Sequence, residues 1–253
     1  MSNDGMIKAV IFDLDDTLMS EYEFVKSGYH YMSERLASRL SHTPEEVEAR
    51  LWELSRETYS RAFNRLFDSY GEKYSEEELQ ELIIAYRDHP ADMSFYGDAP
   101  ETLRALKERG ILTGIISDGD PKRQKNKLKS AVRIMDGDPE ASFEDAHRWF
   151  DEIILTDEFG GTKYRKPDPR GFKEIAERLG VNPSEMIYVG DNPAKDFHIA
   201  ADLPVRTARI IRENGIYHNR EYLDDIHETW RIESLKDIVS IVDEHGGSGL
   251  HKS

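Results

Sequence analysis

The chain of 253 residues contains no cysteine. That excludes a disulfide framework, a thiolate zinc site and a cysteine nucleophile. Positive charge is also scarce: 34 Lys and Arg stand against 50 Asp and Glu, for a net charge of −16. A sequence-independent nucleic-acid surface needs clustered basic residues, so no nucleic-acid partner is expected. A small phosphorylated ligand needs only a few local positive groups and stays open. Long hydrophobic runs are missing too; none approaches the roughly 20 residues of a membrane span, and no membrane partner is expected. The opening MSNDGM is polar and does not read as a signal peptide. These features describe a cytoplasmic globular protein with enough chain for one large or two small domains, and leave its oligomeric state open between monomer and weak dimer.

What is present is organised around Lys8–Leu18, KAVIFDLDDTL. Ala9 to Phe12 is a short run rich in β-branched and aromatic residues, which reads as a buried strand. Side chains alternate along a strand, so Asp13 and Asp15 are expected on one side, roughly 6.6 Å apart along the strand. Carboxylates that close repel unless a cation or a shared proton intervenes.

Residues 19–96 differ from the rest. Glu21–Arg39, Pro44–Asp68 and Ser75–His89 carry apolar residues at helical spacing, and Thr43-Pro44 and Ser75 are helix-start signatures. Three or four helices are expected, with Tyr22, Phe24, Tyr29, Tyr31, Phe63 and Phe67 mostly in their core. From Tyr96 strands and helices alternate. Strands are expected at Ile111–Ile116, Phe150–Thr156, Met186–Val189 and Val205–Ile211. Helices are expected at Pro100–Arg109, Gln124–Val132, Pro169–Leu179, Ala194–Ala201 and Ile232–His245. Residues 134–148 read as a surface excursion, 212–230 as a charged connection, and the tail GGSGLHKS as disordered.

Chemistry-bearing residues follow the strands. Ser117, Asp118 and Gly119 form a turn before a helix, a suitable anion site, although Ser-Asp-Gly is also ordinary turn chemistry. Lys166 lies beside Pro167 in a loop leading into a helix. Gly190 and Asp191 end a strand, and Asp196 follows. The fold class is therefore α/β, a Rossmann-like open parallel sheet with an inserted helical block. In such sheets ligands gather outside the strands' carboxyl ends, so Asp13, Asp15, Ser117, Lys166 and Asp191 are expected in one crevice.

DLDDT, IISDG, Lys166-Pro167 and GDNPAKD match in order the four motifs of the haloacid dehalogenase-like hydrolase superfamily, which the chain resembles over nearly its whole length. The resemblance implies a catalytic core at 1–18 and 97–253 and a helical C1-type cap at 19–96. DGDPKRQKNKL, TDEFG and RKPDP resemble its small-molecule phosphatase branch. It further implies a Mg²⁺-dependent phosphomonoester hydrolase working through an aspartyl-phosphate on a sugar phosphate or nucleoside monophosphate. Asp13 would be the nucleophile. Asp15 would be general acid and base, with its pKa raised by neighbouring carboxylates. Mg²⁺ would be held by Asp13, Asp191 and the Asp15 backbone carbonyl. Ser117, Lys166 and the N–H groups of Asp118 and Gly119 would bind the phosphoryl oxygens. Thr17 would bind or brace at the first loop, Gly190 would allow close backbone approach, and Asp196 would orient Lys166 or a metal-bound water. Family dehalogenases lack an acid at the position of Asp15. Phosphonate cleavage would need a cap lysine, and Lys26 reads as a surface residue. A phosphomutase and a non-catalytic phospho-receiver-like protein remain the alternatives. His30, Tyr31 and Arg35 are the residues of the helical block to test for specificity.

Overall fold

The computed structural model describes residues 5–56, 58–217 and 219–245; the tail expected to lack structure lies outside these. The chain divides into two compact units, one of Met1–Tyr22 with Met93–Ser253, the other of Glu23–Asp92.

The larger unit is built on six parallel strands: β1 (Ala9–Phe12), β2 (Leu112–Ser117), β3 (Glu152–Leu155), β4 (Met186–Gly190), β5 (Arg206–Ile210) and β6 (Trp230–Ile232). Their order is β3-β2-β1-β4-β5-β6. The chain winds outward from β1 to β3, then restarts on the other side of β1 with β4. That reversal is the topological switch point at which such sheets open a crevice. Phe12 is in register with Ile115 on β2 and Val189 on β4, so the residues after these strands emerge side by side. The unit's helices are α5 (Ala99–Glu108), α6 (Pro121–Asp136), α7 (Arg170–Leu179), α8 (Ile199–Asp202) and α9 (Lys236–His245). α7 packs on β2 and β3, and α5 on β2 and α9.

Strand alternation sorts the core. Ala9, Ile11, Ile116, Met186 and Tyr188 share one cluster with Phe172, Ile175 and Ala176 of α7. Phe172 meets the Tyr188 ring edge-on at 4.8 Å. Burying side chains of this size contributes roughly 1.5–3 kcal/mol each. Tyr188 thus has its ring in the core, while its hydroxyl reaches the polar end of the sheet.

The smaller unit holds α1 (Glu21–Leu40) from its third residue on, with α2 (Pro44–Ser55), α3 (Ala62–Tyr70) and α4 (Glu76–Arg87). Thr43 caps α2 in a capping box with Glu46, and the Ser75 hydroxyl accepts from Glu78 N at the start of α4. Phe24, Tyr29, Phe63 and Phe67 are buried.

The structure departs from the sequence expectations at four places. Pro44–Asp68 is two helices, because Thr58 folds back to accept from Ser60 N and Arg61 takes a left-handed φ of 54°. Ala194–Ala201 is mostly turn, with only Ile199–Asp202 helical. The charged connection at 212–230 ends in the sixth strand, so the last helix starts at Lys236 rather than Ile232. The excursion at 134–148 is partly an extension of α6 to Asp136, whose carboxylate accepts from the Trp149 indole at 2.9 Å.

Candidate active site

Asp13 directly follows β1, and its backbone N–H donates to Val189 O on β4 at 2.8 Å. Its carboxylate is buried and accepts from Leu14 N at 2.8 Å. Lys166 Nζ lies 2.7 Å from Asp13 Oδ1 and 3.0 Å from Asp196 Oδ1, and donates to the Tyr188 hydroxyl at 2.6 Å. Lys166 is therefore a fully packed cation between two acids, not a loop lysine in water. Burial disfavours its charge, but Asp13 and Asp196 outweigh that and hold it protonated. Burial raises the Asp13 carboxyl to about 6 even though Lys166 and Lys195 oppose it.

The Asp196 position depends on Gly190. A side chain at Gly190 would bring its Cβ to 2.6 Å from Asp196 Oδ2, so only glycine lets the carboxylate pack against the strand end. There Asp196 accepts from Asn192 N at 2.9 Å and from the Tyr188 hydroxyl at 3.2 Å.

Asp118 follows β2. Its Oδ1 accepts from the Thr156 hydroxyl at 2.8 Å and from Lys166 N at 3.1 Å, and its Oδ2 accepts from Lys195 at 3.1 Å. Burial raises its pKa, but Lys166 and Lys195 more than offset this and it is lowered. The loop that carries Lys166 is thereby tied to the turn after β2. Gly119, at φ 119°, leads into α6.

Asp15 lies in the turn after β1, where strand alternation no longer applies. It nevertheless lines one cavity with Asp13, Asp118, Lys166 and Asp191. Its Oδ2 accepts from Gln124 Nε2 at 2.8 Å and its Oδ1 from Lys127 Nζ at 2.7 Å. Gln124 and Lys127 are buried and three residues apart, so they share a face of α6. Lys127 also pairs with Glu21. The expectation of a raised Asp15 pKa is corrected here. Burial pushes it up, but Lys127 and Arg123 prevail and hold it well below the carboxylate range. Of the two acids paired with Lys127, the raised one is Glu21, which burial lifts to about 7.

The remaining predicted residues are placed as follows. Ser117 is buried, and its hydroxyl accepts from Gln124 at 2.7 Å; it is set behind the cavity wall rather than on it. Thr17 is also wholly buried off the wall, and its carbonyl accepts from Arg212 at 2.8 Å, which braces the first loop. In the smaller unit His30 is exposed beside Glu48 at 3.1 Å, and Lys26 is exposed beside Glu23 at 3.5 Å.

A divalent cation fits the donor set. Carboxylate oxygens of Asp13, Asp191 and Asp196 lie within 4.8 Å of one another. Asp191 Oδ2 is buried with no hydrogen-bond partner among the described residues. Burial together with Asp196, Asp13 and Asp16 raises the Asp191 pKa well above its usual value. An acid pushed up this way gains most from a positive ligand, and oxygen-only donors suit Mg²⁺. The third carboxylate in this cluster is that of Asp196.

Asp13, Asp15, Glu21, Asp118 and Asp191 line a cavity of about 350 Å³ together with Arg123, Arg165, Lys166 and Lys195. A lining of mixed acids and cations suits a phosphoryl group accompanied by a metal counterion. A family model described as haloacid dehalogenase-like hydrolase matches residues 7–202. The chain belongs to this family. Within it the chain is an enzyme, of the phosphatase branch. It is similar to the glyceraldehyde 3-phosphate phosphatase of Methanocaldococcus jannaschii, 31% identical over 242 residues, 94% of this chain and 97% of the relative. The protein of the same name from Methanopyrus kandleri is 31% identical over 249 residues, 94% of this chain and 98% of the relative. A HAD phosphatase from Thermococcus onnurineus superposes with a TM-score of 0.58 at 25% identity, over 93% of this chain and 98% of the other. No helix among the described residues is long and apolar enough to cross a membrane.

Sequence reasoning missed Gln124, Lys127, Lys195 and Glu21. Lys195 sits inside GDNPAKD and was within reach. Lys127 is one of several cations on a basic helix, and its one signal is its place next to buried Leu128.

Proposed function

We propose that the chain is a Mg²⁺-dependent phosphomonoester hydrolase that acts on a small sugar phosphate through an aspartyl-phosphate on Asp13. The observation that carries this reading is the buried Asp13 carboxylate, ion-paired to Lys166 at 2.7 Å and clustered with Asp191, whose Oδ2 has no hydrogen-bond partner among the described residues. Asp13 attacks phosphorus, and the bond to the substrate's ester oxygen breaks. Asp15 is the group that exchanges protons, first with the departing alcohol and then with the water that opens the acyl phosphate. Water attack returns inorganic phosphate and free Asp13. Lys166 neutralises charge on the transferring oxygens, assisted by the N–H groups of Asp118 and Gly119. Asp13 and Asp191 would hold Mg²⁺, which when bound offsets the charge of the acids and of the phosphoryl oxygens.

The glyceraldehyde 3-phosphate phosphatases that match over 94% of the chain favour a short sugar phosphate over a nucleoside monophosphate. A cavity of about 350 Å³ lies at the small end of ligand pockets and agrees with that. The test is phosphate release from a panel of glyceraldehyde 3-phosphate, longer sugar phosphates and nucleoside monophosphates with Mg²⁺. The highest kcat/KM should fall on a short sugar phosphate. Release from none of them contradicts the reading, and preference for a nucleoside monophosphate contradicts the substrate class.

A further inference from the structure

Asp15 is held from behind by one face of α6. Gln124 Nε2 donates to its Oδ2 at 2.8 Å and Lys127 Nζ to its Oδ1 at 2.7 Å. Each oxygen thus has its own donor, which fixes the rotation of the carboxylate as well as its place. Both donors are buried, at 0% and 1% exposure, so their own positions are packed rather than chosen by solvent. Lys127 is fixed further by its pair with Glu21, and Gln124 by its bonds to Ser117 Oγ at 2.7 Å and Asp118 O at 3.1 Å. Asp15 itself is within reach of the cavity that Asp13 and Lys166 line.

These contacts bear unequally on the two halves of a double displacement. With p-nitrophenyl phosphate the phenolate departs without needing a proton, so a misoriented Asp15 spares the formation of the acyl phosphate. The half-reaction in which Asp15 must accept a proton is the hydrolysis of the acyl phosphate. We infer that Gln124 and Lys127 are positioning residues that orient the Asp15 carboxylate to take the proton from the hydrolytic water. The inference rests on the reading of Asp13 as nucleophile and Asp15 as its acid and base. In balanced form, water oxygen bonds to phosphorus, the Asp13–phosphorus bond breaks, Asp13 recovers its carboxylate, and the water proton passes to Asp15.

Removing the donors therefore slows the second half and spares the first. In a double displacement that lowers kcat and KM together and leaves kcat/KM unchanged. A merely structural role lowers kcat/KM instead. The experiment uses the full chain with Mg²⁺ and p-nitrophenyl phosphate, measuring kcat, KM and, by intact mass after acid quench, the fraction of enzyme carrying phosphate. Lys127→Met is the first variant. The double change Glu21→Gln with Lys127→Met removes one charge of each sign and guards against loss of fold. Asp15→Asn is the reference. The expected result is a fall in kcat of about tenfold or more, KM falling with it, and accumulated phosphoryl-enzyme, in either Lys127 variant. Unchanged kcat overturns the inference, as does a fall in kcat/KM with no phosphoryl-enzyme. If Asp15→Asn accumulates phosphoryl-enzyme and the Lys127 variants do not, only this inference fails. If none of the proteins ever carries phosphate, the underlying reading fails and takes the inference with it.

Discussion

Lys166 shows how much one buried cation decides. Two acids within 3.0 Å, Asp13 and Asp196, depend on it for charge balance. Lys166→Met takes away the cation in direct contact with both and leaves Asp13 with Lys195 at 3.8 Å, and removing one partner of a buried ion pair costs about 3–5 kcal/mol. Urea unfolding should show a loss of that size together with loss of turnover. A stable but inactive variant would mean that the acids are balanced by other groups. Asp16, the third acid of DLDD, belongs to a different class. It is wholly buried, with φ 52°, and accepts from Glu21 N at 2.9 Å and Ile216 N at 2.7 Å, so it locks two loops and stays off the cavity. On the proposed mechanism, neighbouring aspartates of identical type in the sequence thus divide into nucleophile, proton carrier and brace. Only the turn geometry after Phe12 separates them, and periodicity carries no information on that.

At the scale of elements, Asp98 joins three segments. It takes Arg212 at 2.9 and 3.0 Å, Ser234 Oγ at 3.0 Å and Leu235 N at 2.9 Å, which ties the start of α5 to the loop after β5 and the approach to α9. Asp98→Ala should cost about 2–4 kcal/mol, since it leaves a partly buried guanidinium and a backbone N–H without their acceptor. Burial alone would raise the Asp98 pKa, but Arg212 and the other donors lower it. A group depressed in the folded state stabilises above its unfolded pKa, and that contribution is lost as pH falls through its folded value. The stability gap between wild type and Asp98→Ala should therefore be constant near neutrality and shrink below about pH 4. A gap that does not change between pH 7 and pH 3 would refute this role. The same region marks where the sequence was hard to read. β1 to β4 are short, mostly apolar runs bounded by turns, and that is the local signal by which they are legible. β6 is three residues, with Arg231 exposed in its middle, and exists because the edge of β5 offers partners in register. That is tertiary pairing, invisible to a local pattern.

For the whole molecule, the four motifs are spread along the chain from Asp13 to Asp196, and the strand ends that carry the first, second and fourth meet because β1, β2 and β4 are adjacent and parallel. An open parallel sheet gathers its strand ends, so a crevice of Asp13, Asp15, Ser117, Lys166 and Asp191 was legible in the sequence; four of these five line the cavity, and Ser117 lies behind its wall. The support around them was not. Gln124 and Lys127 look like any solvated residues of a basic helix until the packing of α6 turns them inward. The excess of buried acid at the sheet end has a molecular consequence as well. Mg²⁺ bound to the folded state alone should stabilise it, by about 2.7 kcal/mol at a hundredfold excess over Kd. Thermal unfolding should shift upward with Mg²⁺, return with chelator, and lose most of the response in Asp191→Asn. An equal shift in Asp191→Asn would move the cation elsewhere.

The most direct measurement is phosphate release from a short sugar phosphate by wild type and Asp13→Asn in parallel, with Mg²⁺ and with excess chelator. The account predicts release by wild type in Mg²⁺ only, and a loss of about a thousandfold or more in Asp13→Asn, which should stay folded because the amide keeps the shape of the buried carboxylate. Wild-type rates in Asp13→Asn, or full activity in chelator, would contradict it.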